Sequence, residues 1–149
     1  MKIAVIGDNI LDQYIHGTVD RISPEFPTPI FRERSYTQCA GGSGNVAENL
    51  KAFGVDVVHY CRPRPNSIKK RYVCNNHVLF RSDVEEYVVN DKIEFDLSGI
   101  EYCILSDYNK GYLHHSQSIV DSCKKQGCKI VVDPKKHLSN YIGADYVKL

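Results

Sequence analysis

The sequence predicts an α/β domain: a doubly wound, Rossmann-like, mostly parallel sheet carrying a small projecting β-sheet lid. Three observations predict it. Three apolar runs each end in an aspartate: Ile3-Ala4-Val5-Ile6-Gly7-Asp8, Tyr102-Cys103-Ile104-Leu105-Ser106-Asp107 and Ile130-Val131-Val132-Asp133. Continuous apolar runs of this length suit strands buried on both faces of a parallel sheet. Strand and helix patterns then alternate through short loops, as βαβ units require. Several further extended segments do not fit between crossover helices, and these are assigned to a separate sheet at one edge. In open parallel sheets ligands bind outside the carboxyl ends of the strands. Three carboxylates gathered there suit a polyhydroxy ligand, a metal or a cation-bridged phosphate.

Each element follows in order. After the first strand, extended segments around Tyr14–Val19 and Pro29–Tyr36 flank Ser23-Pro24-Glu25-Phe26-Pro27-Thr28, where the prolines rule out a helix. Gly41-Gly42-Ser43-Gly44 opens a helix whose expected apolar face is Val46, Ala47, Leu50 and Phe53, with Gly54 at its C-terminal cap. Val55–Tyr60 reads as a strand. Lys70–Cys74 and Val78–Arg81, joined through Asn75-Asn76-His77, read as a β-hairpin. Glu85–Ser98 is acidic and weakly patterned and receives no assignment. A helix is expected from about His114 to Gln126, closed by Gly127, then a strand over Cys128–Val132 and the start of another over Ala144–Leu149.

The chain has 149 residues, 42% hydrophobic and 25% charged, which is sized for one domain with its own core. A net charge of +1 gives no electrostatic footprint for nucleic acid or an anionic membrane. The basic stretch at Arg62-Pro63-Arg64-Pro65 and Lys69-Lys70-Arg71 reads as a solvated connection. No run reaches transmembrane length, and Lys2 leads straight into a core strand. The expectation is a cytoplasmic chain without signal peptide or membrane partner. Six cysteines lack any C-x-x-C pair and read as reduced thiols. His114-His115 has no third ligand at metal spacing, and neither a Walker A sequence nor a dinucleotide fingerprint occurs.

Gly7-Asp8-Asn9-Ile10-Leu11-Asp12-Gln13-Tyr14 and Arg21-Ile22-Ser23-Pro24-Glu25-Phe26-Pro27-Thr28-Pro29 resemble the N-terminus of ribokinase-like (PfkB) carbohydrate kinases. Within them the likeness is to the D-glycero-D-manno-heptose 7-phosphate kinase domain of ADP-heptose synthases. Matches continue in order with Gly41–Ala47, Leu79-Phe80-Arg81-Ser82-Asp83, Leu105–Gly111 and Val132-Asp133-Pro134-Lys135. Two departures stand out. The family has a further strand–helix unit after Val55–Tyr60, whereas this chain turns almost directly into the Lys70–Arg71 hairpin. The sequence also stops at Leu149, ahead of the family's Asn-x-x-Glu and Gly-Ala-Gly-Asp-type motifs. ATP and Mg²⁺ serve the family, but the resemblance does not place them on this chain alone, and it assigns no catalytic base here.

The resemblance implies a substrate-binding half spanning residues 1–149, with lid segments at about 13–38 and 68–83, and Asp12 and Asn45 hydrogen-bonded to sugar hydroxyls. Gly41 and Gly42 let backbone approach the ligand at a helix start. Asp8 serves either as a ligand contact or as a cap. Asp107 and Lys110 stand together at one strand end, with Lys110 expected on the phosphate of a sugar phosphate. Asp133 and Lys135 either repeat that arrangement or merely pair, and Asp133 before Pro134 also fits a simple strand terminator. Arg71 and Arg81 sit on the lid hairpin with no assigned role. A homodimer through the lid is expected, with Tyr14, Phe31, Tyr36 and Tyr72 favouring it. A non-catalytic sugar-phosphate-binding or dimerisation module is the alternative.

Overall fold

A computed structural model describes residues 1–135 and 137–148. The three aspartate-terminated runs become β1 (Lys2–Gly7), β7 (Tyr102–Ser106) and β8 (Lys129–Asp133), the centre of a five-stranded sheet. With β4 (Asp56–Tyr60) and β9 (Tyr146–Val147) the order is β4-β1-β7-β8-β9, and every pairing is parallel. Side chains alternate across such a sheet. Ala4, Ile6, Cys103, Leu105, Ile130 and Val132 accordingly share one core cluster with Ile119, Val120 and Cys123 of α2 (Ser116–Lys125). Ile3 and Val5 point the other way, toward the side of α1 (Ser43–Ala52), whose Ala47 is buried.

The second sheet holds β2 (Asn9–Ile22), β3 (Pro29–Gly42), β5 (Ser67–Cys74) and β6 (His77–Glu85) in the order β3-β2-β5-β6. Here β2 pairs antiparallel with β3 and parallel with β5, and β5 pairs antiparallel with β6. The hairpin turn is Asn75-Asn76, with φ of 49° and 64°. Asparagine tolerates this left-handed region better than other non-glycine residues, and two such residues in succession make the tight turn that twisted strands favour.

Several expectations change. Both lid strands beside the proline loop run 14 residues, longer than the segments read from sequence. The second helix begins at Ser116 rather than His114, because the chain is still turning through 111–115. Phe53 does not join the apolar face of α1; it sits past the last helical turn and is 86% exposed. The unassigned 86–98 stretch is irregular yet anchored. Phe95 and Leu97 are buried, Phe95 packs on Tyr60 at 5.0 Å between ring centroids, and Gln126 bonds both the carbonyl of Phe95 and the N–H of Leu97. Only Tyr146 and Val147 form the last strand; Leu149 lies outside the described residues.

Candidate functional site

Because β1, β7 and β8 are neighbours in parallel register, Asp8, Asp107 and Asp133 do arrive at one sheet edge. Close approach is possible because Gly7 has no side chain: a Cβ there would lie 2.2 Å from the Ser106 carbonyl oxygen. The carboxylates are not left open, however. Fully buried Asp8 accepts N–H bonds from Tyr108 at 2.8 Å, Lys110 at 3.1 Å and Tyr112 at 3.0 Å. It therefore organises the 108–112 loop, with both carboxylate oxygens engaged by backbone donors. Burial pushes the Asp8 carboxyl above its ordinary value, against the pull of the three donors.

Asp107 is likewise turned inward. One oxygen accepts from the Asn109 N–H at 2.7 Å and the other from the Tyr141 hydroxyl. Burial, then this bond, drives the Tyr141 phenol far up. Asp133 pairs at the rim with Lys148 at 2.8 Å, and Lys135 is exposed. Among the described residues, no group of three or more His, Cys, Asp or Glu side chains is arranged to hold a metal ion.

Asp8 also fixes the glycine turn. Its carbonyl accepts from the Ser43 N–H at 3.0 Å and the Ser43 hydroxyl at 2.9 Å, while Gly42 turns the chain at φ 55°. Since that hydroxyl is already donating, His59 must donate to it from Nε2 at 2.9 Å, leaving Nδ1 to face the Cys61 thiol at 3.7 Å. Burial lowers the His59 pKa, consistent with a neutral ring.

Residues paired across strands share a face of the lid. One face carries Asp12, Tyr14, Lys69, Arg71, Arg81, Asp83 and Glu85. Lys110 reaches it from the 108–112 loop and binds Glu85 at 2.7 Å, so this polar face closes over the sheet edge. Lys110 holds the Glu85 carboxyl below its usual range. Arg71 Nη1 lies 2.5 Å from Asp12 Oδ1 and its guanidinium 5.1 Å from the Tyr14 ring centre. Gly41 makes room for this: a Cβ there would be 2.3 Å from Asp12 Oδ2. Asn45 stands apart, exposed on the first turn of α1, with its side chain bonded to Asn49.

The structure thus joins Asp8 with the Lys110 backbone, and Asp12 with Gly41, but leaves Asn45 alone. Sequence reasoning had no place for Arg71, Glu85, Tyr141 or the Ser43–His59 pair. Four buried polar atoms near the junction of the two sheets, Arg62 Nη1, Asn66 Oδ1, Ser67 Oγ and Ser106 Oγ, have no hydrogen-bond partner among the described residues. The opposite face of the lid alternates apolar rows with a polar one, Gln38, Gln13, Lys70 and Ser82. Tyr36, Ile15, Tyr72 and Phe80 form one row across all four strands, and a cavity of about 300 Å³ opens between Val19, Pro29, Phe31, Leu79 and Phe80.

No family model matches the chain. Curated relatives do: the bifunctional protein HldE of Ectopseudomonas mendocina is 31% identical over 97% of this chain, and that of Azotobacter vinelandii 32% identical over the same share. The chain spans 38% of the length of each. The first alignment runs over 179 positions, although 97% of 149 residues is about 145, so roughly 34 positions have no counterpart here. A missing unit after β4 fits this gap, since β4 is an edge strand and six residues, 61–66, carry the chain into β5.

Among solved structures, a carbohydrate kinase from Agrobacterium tumefaciens aligns with a TM-score of 0.65 at 11% identity, over 98% of this chain and 59% of its own. Phosphofructokinase-2 from Escherichia coli in complex with potassium aligns at 0.61 and 18% identity, over 97% and 58%. Ribokinase from Cryptococcus neoformans in complex with ADP aligns at 0.51 and 14% identity, over 90% and 49%. No helix among the described residues is long and apolar enough to cross a membrane. The chain carries a shortened ribokinase-like fold and is similar in sequence to the bifunctional HldE proteins over 38% of their length.

Proposed function

We propose that this chain is the substrate-binding part of a sugar-phosphate kinase of the heptose 7-phosphate kinase type, passing a phosphoryl group to a sugar hydroxyl from Mg-ATP in the cytoplasm. The observation that carries the reading is the polar lid face closed over the 108–112 loop by Lys110 and Glu85, with Asp12 and Gly41 beneath it. Phosphoryl transfer is mostly positioning and charge neutralisation, and this arrangement positions. In this reading Asp12 and Asn45 hydrogen-bond sugar hydroxyls, and the Gly41–Gly42 backbone approaches the sugar. Asp8 and Asp107 hold the loop that carries Lys110. No residue of this chain is assigned to ATP or Mg²⁺, because the strand-end carboxylates are already engaged.

A second reading, a non-catalytic sugar-phosphate-binding or dimerisation module, is favoured by the exposed apolar rows on the outer face of the lid. Tyr36 is 61% exposed, Phe80 50% and Val84 48%, in rows that a second copy would cover. Calorimetric titration with heptose 7-phosphate and, separately, with Mg-ATP tests the proposal. Sugar-phosphate binding without nucleotide binding supports it, and binding of neither rejects it. Sedimentation velocity at micromolar concentration is expected to show a dimer; a monomer alone counts against lid pairing.

A further inference from the structure

We propose that Cys61 is a covalent modification site, a thiol oxidised to its sulfenic acid by hydrogen peroxide with His59 as the base, and that this oxidation acts on the glycine turn opening α1. The polarity of each link is forced. A carbonyl can only accept, so the Ser43 hydroxyl donates to the Asp8 carbonyl at 2.9 Å, and its oxygen accepts from His59 Nε2 at 2.9 Å. A neutral imidazole with its proton on Nε2 keeps a bare lone pair on Nδ1. That lone pair faces the Cys61 sulfur at 3.7 Å, within reach of a thiol donor. A nucleophile, a base beside it and a third group orienting the base form the arrangement that activates a thiol.

Position makes this thiol available. Cys61 lies one residue past β4, the edge strand of the parallel sheet, and is half-buried, whereas Cys103, Cys123 and Cys128 are sealed in the core. Cys39 is exposed and Cys74 half-buried, but among the described residues neither is hydrogen-bonded to a base; Cys74 stands opposite His77 across β5 and β6 without a bond to it. Burial pushes the Cys61 thiol up and the His59 imidazolium down, so the pair rests as thiol and neutral ring and the proton moves during attack. The sulfur attacks one peroxide oxygen, the O–O bond breaks, and the thiol proton passes through Nδ1 to the departing hydroxide, which leaves as water. Sulfur loses two electrons and peroxide gains them, giving a sulfenic acid at Cys61. The added oxygen must enter the 3.7 Å gap, which drives the ring away from Ser43. The ring abuts the start of α1, since a Cβ at Gly44 would lie 3.8 Å from His59 Cε1, so oxidation loosens the turn there.

The test treats the full chain with hydrogen peroxide in the presence of dimedone and quantifies the adduct at each cysteine by peptide mass spectrometry, in wild type and His59→Gln. In wild type Cys61 is expected to label about tenfold faster than Cys74, and in His59→Gln Cys61 alone slows about tenfold or more, as loss of a general base predicts. Unlabelled Cys103, Cys123 and Cys128 show that the variant keeps its core. Labelling of Cys61 no faster than of Cys74 in wild type overturns the site whether or not the variant folds. An unchanged Cys61 rate in folded His59→Gln overturns the base. After peroxide the melting temperature should fall in wild type and not in Cys61→Ser; no fall, or an equal fall in both, overturns the coupling to the turn.

Discussion

Replacing Asp8 by alanine removes the acceptor for three N–H groups of the 108–112 loop. A hydrogen bond to a charged group contributes about 1.5–3 kcal/mol net, so three set an upper range of roughly 5–9 kcal/mol. Part of that is offset, because burial of the carboxylate is itself costly and holds its pKa up. We expect a net loss of about 2–5 kcal/mol, a large share of the roughly 5–15 kcal/mol that holds a domain of this size. Urea denaturation followed by circular dichroism should show the midpoint falling by about 1–3 M. Amide exchange at Tyr108, Lys110 and Tyr112 should speed up in the folded state. Asp8→Asn keeps one carbonyl acceptor and should fall between. An unchanged midpoint together with unchanged exchange at those three amides would refute the account of Asp8 as the loop's organiser.

Gly41→Ala sets a methyl against Asp12 and should displace it from Arg71, weakening sugar-phosphate binding about tenfold while costing only ~1 kcal/mol of stability; calorimetry and thermal melts separate the two effects. Tyr141→Phe leaves one oxygen of buried Asp107 without its donor and should cost about 1–3 kcal/mol in urea melts. Burial lowers the His59 pKa from its ordinary value of 6.5, so its stabilising contribution is present above that value and is lost as pH falls through the folded pKa. The melting temperature of wild type minus that of His59→Gln should therefore shrink as pH drops from about 7.5 to about 5.5; a difference flat with pH argues against a neutral buried ring.

The three central strands were legible because burial in the sheet leaves continuous apolar runs, Ile3–Ile6, Tyr102–Leu105 and Ile130–Val132, and the hairpin because consecutive asparagines supply its turn. Phe53 misled because a helical stripe continues on paper past the point where Gly54, at φ 77°, ends the helix. The 86–98 segment carries no period, since only Phe95 and Leu97 are buried and Gln126 does the rest from a distant helix. The site was legible in part. Aspartates at strand ends announce a crevice, but whether a carboxylate faces outward or inward depends on donors far along the chain. Arg71 joins Asp12 through the parallel pairing of β2 with β5, a register that no local pattern encodes.

Asp8 meets its three donors across 100, 102 and 104 residues of chain. Closing loops of that length costs entropy that local contacts cannot offset early, and non-local topology slows folding. During synthesis the first strand and the lid hairpin emerge long before Tyr112 exists, so Asp8 waits as a carboxylate exposed to water. The crevice can be sealed only once β7 docks beside β1 and the loop closes over the aspartate. Any ligand able to read the finished crevice reports on completed folding as well as on binding.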